Sequence, residues 1–392
     1  SLTTEGVAFP SLKEKTMKKT LLSLSLALAM TPAAWAADVT VYGVVDVGLS
    51  YVHSDSDIAG QKSVNKFTME NAQEFGSRWG IRGVEKLDNG LTVGFTLESG
   101  FESDTGKLDV KQGGRLFGRE ASLSVGGSFG TVWAGRLPIF GSTLSANGLF
   151  RAIDPLFANY TEGFGSGFAT ASMWTRVDNA LAYRTPTFGG FTGYAMYSFQ
   201  NDSSKGVEGK SSADRYGSLA VQYKQGALEA ILVADTTNWG NEKDKPATED
   251  DGYTVTIGGN YTFDGGFKVI AFAQYFDNQS LIVGRAGVVR AGLLDITSGN
   301  GYGFVDGWGA SIGAHYPIGG GVAKFAVNYR DMDNKDNVDF TRWTVAGAYD
   351  YPLSKRTAVY AMAGYSQEKI KAADKSGTPN GYQISCGVVH RF

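Results

Sequence analysis

Apolar and polar residues alternate through most of the chain, in runs of about ten residues broken by Gly, Asn, Asp and Pro. A period of two is that of a β-strand with one apolar and one polar face. In the run at 252–263, aromatic and aliphatic residues occupy one face, whereas Thr, Gly and Asn occupy the other. The pattern therefore predicts an all-β protein.

The number of such runs is even, and the connections between them alternate between short turns and long polar loops. Both ends of the chain then lie on one side of the sheet, as in single-chain outer-membrane barrels. The predicted strands number sixteen, near 39–53, 74–86, 90–101, 115–126, 128–136, 175–186, 189–199, 213–223, 226–236, 252–263, 266–277, 302–316, 321–331, 340–351, 356–367 and 381–392.

The apolar face is predicted to point outward, into lipid. Sixteen strands enclose more volume than side chains can fill, so the polar face surrounds a water-filled lumen. A soluble barrel or sandwich would bury the apolar set instead. Lipid offers no partner for an open sheet edge, so the sheet must close, and the last strand ends on the aromatic Phe392. The predicted fold is a 16-stranded antiparallel transmembrane β-barrel.

The longest connection, at 137–174, is rich in Phe, Gly and Ala. Loops of this length without their own secondary structure are usually functional or disordered, and exposing this many aromatic side chains would be unfavourable. We predict that this third extracellular loop folds into the pore. The alternative is a surface flap or a docking site for a partner. The aromatic residues concerned are Phe140, Phe150, Phe157, Tyr160, Phe164 and Phe168.

The first residues divide into two segments. Residues 17–36 read as a signal peptide, with Lys18 and Lys19 before an apolar stretch and Ala34-Trp35-Ala36 at its end. The apolar stretch is too short for a membrane-spanning helix. Residues 1–16 have no targeting character and are interpreted as an unstructured upstream extension. The barrel is then predicted to occupy 37–392.

Composition excludes several classes of function. Without the first 36 residues, 32 basic side chains stand against 37 acidic ones, so a nucleic-acid partner is not expected. Glycine, at 53 of 392 residues, is about twice as frequent as usual, which suits short strands and turns. No His, Cys or acidic residues have the spacing of metal ligands, and no cofactor is predicted.

Arginines mark the predicted inner face of two strands. Because side chains alternate between the two faces of a strand, Arg78 and Arg82 are predicted to face the lumen. The same rule places Arg176 and Arg184 of a later strand in the lumen, with Val177 facing out. Positive side chains on one wall of a narrowed pore create a fixed field that acts on passing ions. The alternative is that each arginine simply keeps a water-filled lumen polar.

The orientation of Arg119 is ambiguous from the pattern alone. An inward Arg119 places Glu120, Ser122 and Ser124 outward, which is unfavourable against lipid but tolerable against a neighbouring subunit. Together with Thr131, these residues give this part of the wall the poorest outward apolar face. We therefore expect it to face another protein chain.

The opposite pole of such a field requires acidic side chains. The long loop contains two, Asp154 and Glu162, and both are candidates for the acidic side of the constriction. The alternative for each is a position in solvent at the pore mouth.

The chain resembles the general trimeric porins of Gram-negative outer membranes, especially their β-proteobacterial branch. The segments that carry the resemblance are VYGVVD at 41–46, SRWGIRG at 77–83, FGR at 117–119, GTVWAGR at 130–136, RVDNALAY at 176–183 and the terminal Phe392. The resemblance implies sixteen strands, a third loop inside the pore, and homotrimers that pass small hydrophilic solutes passively. It also implies that Arg78, Arg119 and Arg176 form the family's cluster of wall arginines.

The chain departs from the family pattern at two places. Some relatives have a basic residue in the first strand where this sequence has Val44. The acidic turn of many enterobacterial relatives, Pro-Glu-Phe-Gly-Gly, is represented only loosely by Pro138-Ile139-Phe140-Gly141. The preference for anions or cations is therefore left open at this point.

The leading functional hypothesis is an outer-membrane diffusion pore for ions and small hydrophilic solutes, in contact with lipid and lipopolysaccharide. A second hypothesis is an anion-preferring or substrate-specific channel. A structural or adhesive barrel would not need the arginine group. An outer-membrane enzyme would need a nucleophile and a base close together, and the three histidines, His53, His315 and His390, suggest no such pair. No catalytic residues are predicted.

Overall fold

A computed structural model describes residues 38–57, 60–109, 114–143, 147–156, 169–171, 176–204, 206–240, 251–279, 302–373 and 375–392. One antiparallel sheet contains all the strands of these residues, and they are numbered in chain order. They are β1 (Asp38–Asp55), β2 (Val64–Asn71), β3 (Arg78–Lys86), β4 (Thr92–Gly100), β5 (Glu120–Gly127), β6 (Gly130–Pro138), β7 (Arg176–Arg184), β8 (Phe191–Ser198), β9 (Arg215–Gln225), β10 (Leu228–Asn238), β11 (Gly252–Thr262), β12 (Lys268–Gln279), β13 (Val305–Ile318), β14 (Gly321–Asn334), β15 (Val338–Pro352), β16 (Thr357–Ala372), β17 (Lys375–Gly377) and β18 (Asn380–Arg391).

The sheet closes on itself, because β1 pairs with β18 along most of its length. Both β2 and β3 pair with β1, so they are two parts of one wall strand. Likewise, β17 and β18 both pair with β16. The closed barrel therefore has sixteen wall strands, which confirms the predicted fold class.

The two faces of the wall differ as the alternation predicts. In β11, Tyr253, Val255 and Ile257 are exposed, whereas Thr254 and Thr256 are fully buried. Residues that are direct cross-strand partners share a face, and following the partners around the barrel gives one consistent inner face. The exposed aliphatic and aromatic side chains form the outer surface, as lipid requires.

The second wall strand differs from the prediction of 74–86. Pairing with β1 begins already at Val64, so half of the predicted connection between the first two strands, 54–73, is strand. Residues 72–77 interrupt the pairing, and this segment is called the bend below. Ala72 has a left-handed backbone with φ 59°, which turns the chain out of the sheet and breaks the period of two on which the prediction depended.

Described parts of the long loop lie against the inner face of the wall. Phe140 and Phe150 are buried in a cluster with Met196 and Val233, which belong to β8 and β10. The side-chain amide of Asn260 donates to the carbonyl of Ala152 over 2.7 Å. Of the aromatic residues named for this loop, Phe157, Tyr160, Phe164 and Phe168 lie outside the described residues.

The predictions for residues 1–36 also fall outside the described residues, so the upstream extension and the signal peptide stay predictions. In the described ranges, no helix has the length and apolar character needed to cross a bilayer.

Candidate functional site

A carboxylate on β4 brings two of the predicted arginines together. Glu98 lies directly across from Gly80 of β3 and Glu120 of β5, on the inner face. Its Oε1 is 2.6 Å from Arg119 Nε, and its Oε2 is 3.7 Å from Arg78 Nε. The hydroxyl of Tyr42 on β1 donates to Oε2 over 2.9 Å.

The third arginine joins the same group from the far side of the long loop. The Nε of Arg176, at the start of β7, donates to the backbone carbonyl of Arg119 over 2.7 Å. The structure thus brings together Arg78, Arg119 and Arg176, the three that the family resemblance selected. We call these three residues with Glu98 the arginine cluster.

Two glycines make room for Arg119. A Cβ at Gly76 would lie 2.8 Å from Arg119 Nη1, and one at Gly100 would lie 3.2 Å from Arg119 Cδ. Both distances are shorter than ordinary van der Waals contacts, so any larger residue would displace the guanidinium. The position of Arg119 is therefore set by the absence of side chains on the neighbouring backbone.

The expectation that an inward Arg119 turns Glu120, Ser122 and Ser124 outward is wrong. Strand β5 begins at Glu120, so Arg119 lies on the preceding loop and does not take part in the alternation. Glu120 is the direct partner of Glu98 and lies on the inner face with Ser122 and Ser124. Thr131 also lies on that face. These residues therefore give no argument for a subunit interface.

The orientation predicted for Val177 is wrong as well. This side chain is 2% exposed and packs in the buried cluster with Phe140 of the long loop. Asn179 has a left-handed backbone with φ 48°, and the pairing with β6 shifts register between Gly135 and Leu137. Two irregularities at the start of β7 therefore break the alternation that a regular strand would keep.

Arg82 and Arg184 lie on the inner face but apart from the arginine cluster. Arg82 is exposed, with its Cζ 5.0 Å from the ring centre of Tyr42. The Cζ of Arg184 is 5.2 Å from the ring centre of Trp133. At about 3.3 Å per residue, Arg184 lies roughly 26 Å along β7 from Arg176. The guanidinium groups thus follow the lumen at several depths.

The two acids predicted for the constriction have different outcomes. Asp154 is 1% exposed, and its Oδ1 accepts a hydrogen bond of 3.2 Å from the backbone N–H of Leu156. Its role as the acidic pole stays a prediction. Glu162 lies outside the described residues.

Sequence reasoning missed the acids that actually border the arginines, Glu98 and Glu120. The signal was present in β4, where Phe95 and Leu97 alternate with Thr96 and Glu98, and the apolar pair faces lipid. Two carboxylates beside these three guanidinium groups leave an excess of one positive charge among the five side chains. Arg136 and Asp109, which also act on Arg176, add one charge of each sign and leave that excess unchanged. The net field is thus weaker than the arginines alone indicate.

A second group of charges ties the outer loops to the wall. Asp178 of β7 pairs with Arg136 of β6 and, over 3.2 Å, with Arg115 of the loop between β4 and β5. Arg115 also lies 3.2 Å from Asp202. Burial raises the pKa of Asp202, but hydrogen bonds from Ser204 and Arg115 outweigh it and bring the pKa below its ordinary value.

A third group lies on β14 to β16 and is fully buried. Arg330 and Arg342 are direct cross-strand partners, and Glu368 is the partner of Arg342. Arg330 Nη2 donates to Glu368 over 2.8 Å, and the hydroxyl of Tyr302 donates to the same carboxylate over 2.7 Å. This group was not predicted either, although its residues have the inward parity.

No group of three or more His, Cys, Asp or Glu side chains arranged to hold a metal ion occurs within the described ranges.

Comparison with known proteins gives consistent results. A family model described as Gram-negative porin matches residues 23–371. An outer membrane porin of Bordetella pertussis is 33% identical, with 96% of this chain and 100% of that protein covered. Outer membrane porin protein 32 of Delftia acidovorans is 31% identical, with 90% of each chain covered.

The same relationship is seen in three dimensions. The solved structure of an anion-selective porin from Comamonas acidovorans superposes with a TM-score of 0.65 at 25% identity, covering 91% of this chain and 100% of that one. The sequence matches, the closed barrel and the structural match agree. The chain therefore belongs to the Gram-negative porin family and is an outer-membrane β-barrel porin.

Proposed function

We propose that this porin is a water-filled channel for passive diffusion that prefers small anions, and that the arginine cluster sets this preference. The observation that carries the proposal is the convergence of Arg78, Arg119 and Arg176 beside the carboxylate of Glu98 on the inner wall. The similar porin from Comamonas acidovorans is itself described as anion-selective.

The size of the effect follows from the excess of one positive charge. In water, a unit charge about 8 Å from an ion changes its free energy by roughly 0.5 kcal/mol. The sign is opposite for anions and cations, so their permeabilities differ by roughly 1 kcal/mol, or about fivefold. The preference is expected to be moderate, because neighbouring carboxylates compensate most of the arginine charge.

We further propose that the long loop narrows the lumen opposite the arginine cluster, with Asp154 or Glu162 as the acidic side. The burial of Phe140 and Phe150 against inner-wall residues supports this arrangement. Arg82 and Arg184 would extend the positive path along the lumen.

The proposed assembly is a homotrimer in contact with lipid and lipopolysaccharide. Its support is the resemblance to trimeric porins. Chemical cross-linking of protein extracted in mild detergent tests the subunit number, and a dominant dimer or monomer would contradict it. Conductance that increases in groups of three steps would agree with it.

The experiment for ion preference is the reversal potential of the purified protein in a planar bilayer across a KCl gradient. An anion-directed potential is expected, and the double change Arg78→Ser with Arg176→Ser should move it toward cations. The matched control is Arg356→Ser, because Arg356 is exposed in the turn after β15 and outside the lumen. A cation-directed potential in the wild type would refute the proposal.

A further inference from the structure

The bend at 72–77 is built around one buried residue of the first strand. Asp46 is fully buried on the inner face of β1. Its Oδ2 accepts hydrogen bonds from the backbone N–H of Glu74 over 2.8 Å and of Phe75 over 2.6 Å. Its Oδ1 accepts the hydroxyl of Tyr360, from β16, over 2.7 Å. Both carboxylate oxygens are thus used.

The backbone of Asp46 holds both ends of the bend. The N–H of Ala72 donates to the carbonyl of Asp46 over 3.1 Å. At the other end, the hydroxyl of Ser77 accepts the N–H of Asp46 over 3.0 Å and donates to its carbonyl over 3.1 Å. Ser103, from the loop after β4, donates to the same carbonyl over 2.6 Å. The bend is therefore a fixed structure.

The middle of the bend reaches another part of the wall. Glu74 Oε1 lies 3.3 Å from Lys324 Nζ on β14, and Lys324 also pairs with Asp350 of β15. In the sheet order, β15, β16 and β18 separate β14 from β1. The bend thus bridges two wall regions that are not neighbours.

Gly76, near the end of the bend, contacts the arginine cluster. The carbonyl of Gly76 accepts a hydrogen bond of 2.8 Å from Arg78 Nη1. The α-carbon of Gly76 lies so close to Arg119 that a Cβ would be 2.8 Å from its Nη1. A displacement of the bend by about an ångström therefore moves the backbone that positions Arg78 and Arg119, two of the three arginines.

We infer that Asp46 is a positioning residue for the selectivity of the pore, acting through the bend on Arg78 and Arg119. The inference rests on the proposed function, since it concerns the same arginine cluster. A competing role for Asp46 is purely electrostatic, as a negative charge on the inner wall. The two roles predict different results for two variants of equal charge.

The first test is hydrogen exchange of the backbone amides of Glu74 and Phe75, measured by mass spectrometry on the folded porin. Asp46→Ala removes their acceptor, and we expect exchange about tenfold faster or more. Asp46→Asn keeps an oxygen for both amides and places its NH₂ toward the Tyr360 oxygen, so exchange should stay near the wild-type rate. Unchanged exchange in Asp46→Ala would overturn the inference, whatever the ion preference of the pore.

The second test compares the reversal potentials of the same two variants. Both have lost one negative charge, so any difference between them reports geometry. We expect the anion-to-cation permeability ratio of Asp46→Ala to be lower than that of Asp46→Asn by about twofold or more, because the arginines lose their fixed positions. Equal potentials in the two variants would overturn the positioning role and leave only the electrostatic one.

Two further variants keep the test decisive. If Asp46→Ala does not fold, Tyr360→Phe removes one hydrogen bond to the same carboxylate, and the amides of Glu74 and Phe75 must still exchange faster. The matched control is Asp235→Ala, because Asp235 of β10 is also a buried inner-wall acid that accepts a tyrosine hydroxyl, from Tyr216. The strand pairings place seven wall strands between β1 and β10 in either direction, so β10 lies across the barrel from β1. Faster exchange at the bend in this control would also refute the inference.

Discussion

Replacing Glu98 by Gln should increase the preference for anions. Gln retains the shape of the side chain. Its amide oxygen can accept from Arg119 Nε, and its NH₂ can donate to the hydroxyl oxygen of Tyr42, so the wall geometry is preserved. The substitution removes the carboxylate that lies 2.6 Å from Arg119 Nε and 3.7 Å from Arg78 Nε. The net charge of the group then rises from an excess of one to an excess of two.

The expected magnitude follows from Coulomb's law in water. One added positive charge about 8 Å from the ion path changes the anion-to-cation permeability ratio by roughly 1 kcal/mol, or about fivefold. The shift should decrease with salt, because the Debye length falls from about 10 Å at 0.1 M to about 3 Å at 1 M.

The assay is the reversal potential in a planar bilayer, with folding checked by the mobility of unheated protein in gel electrophoresis. Asp88→Asn is the control, since Asp88 is an exposed carboxylate in the turn between β3 and β4. A ratio that stays the same or falls in Glu98→Gln would refute the reasoning. A stricter test adds Arg78→Ser to Glu98→Gln, because restoring the net charge should restore the wild-type ratio.

Two other predictions concern stability. Because the pKa of Asp202 is lower in the folded protein than in the unfolded chain, its carboxylate stabilises the folded state at every pH above the unfolded pKa of 3.8. This stabilisation is lost only as the pH falls through the lower folded pKa. In the wild type, proteolysis of the loop around 200–214 should therefore increase only below about pH 3.8. In Asp202→Asn, the loop should be cleaved faster than in the wild type already at neutral pH. Glu368→Leu removes the carboxylate partner of the buried Arg330, so we expect a loss of about 3–5 kcal/mol in denaturant unfolding. The double variant Glu368→Leu with Arg330→Met should lose less free energy of unfolding than Glu368→Leu alone. Equal losses in the two variants would contradict this account.

The barrel could be predicted from the sequence because regular strands alternate apolar and polar residues with a period of two. In β11 and in β18, every second residue faces lipid, and this requirement covers most of the strand. The strand count and the outward face could therefore be predicted without any structure. Arg78 and Arg82 followed from the same rule, since β3 is regular from Arg78 onward.

The candidate site could be predicted only in part, because its central residues lie where strands end. Arg119 precedes β5, and the bend precedes β3, so neither obeys a period of two. Val177 lies beside the left-handed Asn179, where the alternation is lost. The family resemblance grouped Arg119 with Arg78 and Arg176, and the structure brings these three side chains together, although Arg119 lies outside any periodic strand.

The acids show why the ion preference depends on the whole group and not on the arginines. Glu98 could have been placed on the inner face from β4 alone, yet its effect depends on its distance to Arg119, which comes from a loop. Three positive and two negative charges give a small difference between large contributions, so one acid changes the net charge as much as one arginine does. Selectivity can therefore be altered at Glu98 as readily as at Arg78, and the two substitutions should act in opposite directions.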